Sequence, residues 1–174
     1  MINRNTLPRC GFVLFLIGIC LLFPVLLVFG PYIKEEYIVF QRKQDFSSIE
    51  SEFNTIFDNL PRSETDTVLA IRPILPLSIG RGPYTGCIKG SKEVVYGTTR
   101  EFEDVLDEYE ILFTDRPPWV RSSETGYDTK KASFRLYLAD PSSSTYPPEC
   151  ADFPVCYYMH LIYADPSIEE CFGL

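Results

Sequence analysis

The chain has few residue types that could carry catalysis near neutral pH. Its one histidine, His160, is the sole candidate for a general base, because imidazole alone titrates near physiological pH without help. It lies between Tyr158 and Ile162 on the less apolar side of an alternating stretch, and no nucleophile is spaced to partner it. A packed or surface histidine is the expectation. The run Gly80-Arg81-Gly82-Pro83-Tyr84-Thr85-Gly86 has the glycine content of a phosphate-binding loop. Its spacing differs from those loops, Pro83 removes an amide, and no helix follows to present its N-terminus, so it reads as a turn.

Acids gather at Glu101, Glu103, Asp104, Asp107, Glu108 and Glu110. A cation or basic partner could meet them, but the spacing is that of the solvated face of a helix whose first turn favours negative charge. Trp119, after Asp115-Arg116-Pro117-Pro118, reads as a plug at a helix-to-strand link and not as a recognition aromatic. Serine-nucleophile, nucleotide-binding and paired-histidine motifs are absent. No catalytic residue, cofactor or metal is therefore expected.

Six cysteines remain. Cys10 and Cys20 fall at or within an apolar N-terminal run, whereas Cys87, Cys150, Cys156 and Cys171 follow it. No Cys-x-x-Cys pair exists, which disfavours zinc. Four cysteines in an oxidising compartment read as two disulfides, with three connectivities open. The favoured one joins Cys150 to Cys156, closing a short loop, and Cys87 to Cys171, tying the tail to mid-chain.

That compartment follows from the apolar run. Between Arg9 and Lys34 there is no charged residue, and at ~1.5 Å rise per residue a helix over 11–33 covers the ~30 Å hydrocarbon core of a bilayer. Pro24 costs a hydrogen bond, which membrane helices tolerate. Arg4 and Arg9 precede the run, while Lys34 is offset by Glu35 and Glu36, so residues 1–10 are expected to be cytoplasmic, 11–33 transmembrane, 34–46 a juxtamembrane stalk and 47–174 an extracytoplasmic domain. A cleavable signal would have a shorter apolar stretch and small residues at its end, where Val28-Phe29-Gly30-Pro31 stands instead. A lipoprotein signal at Cys20 would need a small residue where Ile19 is. Cys10 reads as a free thiol, with acylation the alternative.

The part beyond the run holds all 24 acids against the remaining 14 bases, about −10. A phosphate backbone would be repelled, so nucleic acid is not an expected partner. With 45% hydrophobic and 14% aromatic residues, this part should fold rather than stay disordered.

Apolar positions 46, 49, 53, 56, 57 and 60 form a helical stripe, with Ser47 and Glu50 at capping-box spacing and Pro61 as a stop, predicting a helix over 47–60 that extends back through Tyr37 to Phe40 in one variant of the reading. A second helix is predicted over 99–113, with Thr98 and Glu101 as its capping box and Pro117-Pro118 as its end. Strands are predicted at 67–71, 87–96, 133–139 and 155–163, with an irregular link across Pro73 to Gly86. The parallel segments Leu136–Ser142 and Leu161–Ser167 each end in Ala-Asp-Pro-Ser, and Asp-Pro is read as a strand terminator, not as half of a ligand site. The expected fold is α+β: two amphipathic helices on an antiparallel sheet of about four strands, with helix-strand-strand occurring twice as a pseudo-repeat.

Arg9 leading through Gly11-Phe12 into an apolar helix, then a second helical stripe, four strands and late cysteines, resembles a type IV pilin or pseudopilin. The resemblance implies structural assembly. Pilins carry an acid four positions after the phenylalanine that begins the mature chain, where this chain has Leu16. The leading expectation is a non-enzymatic envelope protein whose outer domain binds a protein partner or ligand, with a small subunit of a membrane complex as one form of it. A small extracytoplasmic enzyme built from Asp, Glu and Tyr is the third class.

Overall fold

The computed structural model describes residues 7–114 and 116–172; in its first helix, side chains are described from Phe29 onward, together with Pro24 and Leu27. Residues 1–6, most side chains of the apolar run, including those of Cys10, Leu16 and Cys20, and Asp115 lie outside this set. Among the described residues no helix is long and apolar enough to cross a membrane.

Helix α1 spans Leu7–Asp58, 52 residues, continuing through Pro24 and Pro31. The expected stalk over 34–46 is thus ordinary helix. The capping box read at Ser47 and Glu50 is interior to it, because nothing from Lys34 to Phe46 breaks the helix and the amides there are already bonded one turn back. Pro61 does end it: the last turn closes with Asn59 N–H on Thr55 O at 3.1 Å and Leu60 N–H on Phe57 O at 3.4 Å.

Six strands, not four, make one antiparallel sheet: β1 Thr67–Ile79, β2 Ile88–Thr98, β3 Val120–Ser123, β4 Gly126–Asp128, β5 Ala132–Leu138 and β6 Val155–Asp165, in the order β1-β2-β6-β5-β4-β3. Helix α2 (Phe102–Thr114) follows β2, and a short α3 (Ile168–Phe172) ends the described chain. Four strands, not two, follow α2, so the helix-strand-strand repeat is not kept.

Two corrections concern strands. The link expected across Pro73 is strand as far as Ile79, with register shifts against β2 on both sides of Leu75. Proline is allowed there because β1 is an edge strand, and bulges absorb the missing donors. The β3–β4 hairpin escaped notice because it is short and polar and β3 is exposed along its whole length. The second capping box also fails. The Thr98 hydroxyl accepts from Arg100 N–H at 3.1 Å, a local turn, and Glu101 precedes the first residue of α2.

One face of the sheet carries the main core. Period-two alternation puts Val94 and Tyr96 of β2, Phe134 and Leu136 of β5, and Tyr157, Met159, Leu161 and Tyr163 of β6 on that face, against Ile49, Phe53 and Phe57 of α1 and Val105, Tyr109 and Phe113 of α2. Aromatic pairs fill it: Tyr96 stacks on Tyr157 at 5.0 Å and Phe113 on Tyr127 at 4.3 Å. Behind the sheet a smaller cluster of Val95, Ala139, Cys150 and Cys156 is covered by Tyr146 and Phe153.

Helix α1 runs along the strands, opposite in direction to β6. Arg42 meets Asp165, Phe53 meets Tyr163, and Asp66 beyond the helix meets Tyr157.

Candidate functional site

The polar clusters nearest to chemistry are closed on themselves. At the far end of α1, the Asp66 side chain is 1% exposed. Arg100 donates to it from Nη2 at 2.7 Å and Nε at 3.3 Å, and the Tyr157 hydroxyl donates at 2.8 Å. Burial alone would raise the Asp66 pKa, but the hydrogen bonds from Arg100, Thr98 and Tyr157 outweigh it and hold the carboxyl below its usual value. Arg100 also pairs with Glu108 at 2.7 Å. This carboxylate is therefore a brace that pins the α1–β1 link to β6 and α2, with its lone pairs occupied. Local spacing gave no sign of it, since Arg100 lies 34 residues on.

At the other end, Asp165 accepts Arg42 and Lys131, each at 2.8 Å, and Lys131 reaches back to Glu52 of α1 at 3.0 Å. The two Ala-Asp-Pro-Ser aspartates stay apart. Asp165 is in this cluster, while Asp140 closes its own turn by accepting from the Ser142 amide at 2.8 Å. Among the described residues no group of His, Cys, Asp and Glu could hold a metal ion.

The acidic row of α2 is partly engaged. Glu108 is in the brace, Glu110 pairs with Arg121 at 2.5 Å, and Glu103, Asp104 and Asp107 face solvent.

His160 lies on the outer sheet face, opposite Glu93 of β2 and Arg135 of β5 in register, with the Tyr137 ring 6.5 Å away. Its Nε2 is buried and has no partner. Burial pulls its pKa below 6.5, so it is neutral at pH 7. The charged form is disfavoured in the folded state only, so this residue costs no stability above pH 6.5 and an increasing amount as pH falls from there through the lowered folded value. We expect His160→Gln to flatten the decline in unfolding midpoint over that window; an unchanged pH profile would show that other groups set it.

Cys87, Cys150, Cys156 and Cys171 form two disulfides, Cys87–Cys171 and Cys150–Cys156, the pairing favoured in the sequence reading.

A concavity of about 460 Å³ lies between α1 and the segments flanking β3 to β5. Thr55, Ile56 and Asn59 of α1 form one wall, Pro118 and Trp119 the facing wall, and Thr129 to Lys131 the end. Its volume is that of a ligand-sized cleft. Trp119 is half-buried, packing edge-on against Phe113 at 5.5 Å while also lining the cleft. The plug expected from sequence is thus also a cleft wall. Glu52 and Lys131 at the rim are already paired to each other, while the exposed Lys130 beside them is in no ion pair among the described residues, so an apolar floor is edged by one pair and one further cation.

Comparison with protein-family models, curated proteins and solved structures found no match. The cleft and its chemistry must stand alone.

Proposed function

We propose that this chain is a single-pass membrane-anchored protein, N-terminus cytoplasmic, whose outer domain is a non-enzymatic binding module, a small subunit of a membrane complex. The observation that carries the binding role is the cleft at Trp119. An aromatic and aliphatic floor with a polar rim is the composition of a protein-contact patch, where aromatic anchors contribute most of the affinity. The polar clusters elsewhere in the domain are internally paired braces. Two observations support the rest: α1 carries the uncharged run of 11–33 straight into the domain core, and the two disulfides fit an oxidising compartment.

The test is cross-linking in intact cells, then purification of the full-length protein from solubilised membranes. A partner that cross-links to the native chain and is lost severalfold with Trp119→Ala supports the reading. Cross-linking unaffected by Trp119→Ala removes the cleft from it, and purification of the chain alone removes the complex. Protease added outside intact cells should degrade the domain; protection would place it on the other side.

A second reading is a pilin-like structural subunit. One observation favours it: a single helix whose described residues 24–34 stand clear of the domain while its later part packs on an antiparallel sheet. A mature N-terminus at Phe12 would support it over the first.

A further inference from the structure

The glycine loop 80–86 has so far only the role of a turn, yet its position is unusual. It reaches across to the first polar turn of α1. The Gly82 amide donates to Glu35 at 2.9 Å and Arg81 pairs with Glu36 at 2.6 Å. Gly86, at φ +87°, lies so close to the helix that a Cβ there would come within 2.8 Å of Ile38 Cγ2, and Arg42 donates to the Gly86 carbonyl at 2.7 Å.

From the last apolar residue of the run, Ile33, the helix rises only ~3 Å to Glu35 and ~8 Å to Ile38. The headgroup layer on each side of a bilayer is itself ~5–8 Å deep. The Gly82 end of the loop, held at the height of Glu35, therefore lies within that layer, and the Gly86 end, against Ile38, lies at its outer edge. What the loop presents there is suited to it. Tyr84 is 41% exposed, Phe172 of α3 is 37% exposed, and Lys89 stands between them, 3.9 Å from the Tyr84 ring centre and 4.4 Å from that of Phe172. Two amphipathic or apolar rings around a lysine with a long apolar stem is an interfacial composition. The Cys87–Cys171 bridge holds the two elements together. Glu35, Glu36 and Glu170 nearby are offset by Lys34, Arg81 and Lys89, so the patch has no net charge to draw it to anionic lipid and the fit is to a zwitterionic surface.

We propose that Tyr84, Lys89 and Phe172 form a foot that rests in the headgroup layer of a zwitterionic bilayer, so that the domain touches the membrane at a second point beside its helix. This rests on the anchor reading above. The test uses the full-length chain in nanodiscs of phosphatidylcholine brominated near the glycerol end of its acyl chains. Single tryptophans are placed by Tyr84→Trp, Tyr137→Trp or Phe29→Trp in a Trp119→Phe background. Severalfold stronger quenching at 84 than at 137, with 29 also quenched, is the expected result. Quenching at 29 with position 84 no different from 137 overturns the foot and leaves the anchor. No quenching at 29 overturns the anchor and the foot with it. Should Tyr84→Trp fail to form both disulfides, Phe172→Trp is read against the same controls and the same outcomes.

Discussion

Replacing Cys87 and Cys171 together by alanine is expected to destabilise the domain by about 4–5 kcal/mol, about twice the ~2 kcal/mol expected for Cys150 with Cys156. The difference comes from loop length, a sequence separation of 84 against 6. The longer closed loop removes more conformations from the unfolded chain. Denaturant unfolding of the full-length chain in detergent, followed by Trp119 emission, gives both values. Equal effects would mean that local packing around Cys150 and Cys156 dominates chain entropy. Both long-loop cysteines are buried with Ala164 at the end of β6, so the double variant also releases α3 and the loop beside α1.

Asp66→Asn should cost about 2–4 kcal/mol. Breaking a buried ion pair by removing one partner leaves the other uncompensated, at ~3–5 kcal/mol when both are buried. Arg100 is 29% exposed and keeps Glu108, which lowers the figure. The wild-type carboxyl is held below its ordinary value of 3.8. Its contribution is therefore fully present above pH 3.8 and is lost as pH falls through the lower folded value. The Asn variant should lack that part of the acid limb. A cycle with Tyr157→Phe should show coupling above ~0.5 kcal/mol; additive effects would dismantle the brace.

The sequence carried the α+β class, the α2 stripe and the cores of β2, β5 and β6, because period and burial agree there. It also favoured the observed disulfides among three open connectivities, because one closes a short loop and the other ties the tail to mid-chain. What it concealed has local causes. Ser47 and Glu50 imitate a helix start that a continuing helix overrides. Pro73 and Pro76 look like breakers, but their position at the sheet edge makes them harmless, a fact that only strand order reveals. Val120 to Asp128 is too short and wet to alternate. At the sites, Trp119 was noticed but given only half its role, and Asp66 gave no sign because its partners come from β6 and the start of α2.

The unbroken helix also makes the domain's heading a matter of arithmetic. Each residue inserted ahead of Glu35 would swing the whole domain ~100° around the helix axis and lift it ~1.5 Å. One extra alanine there would turn the Trp119 cleft ~100° from its bearing, and four would leave it ~40° off but raise it ~6 Å. Wherever the first part of the helix is held, the helix acts as a compass needle and a ruler at once.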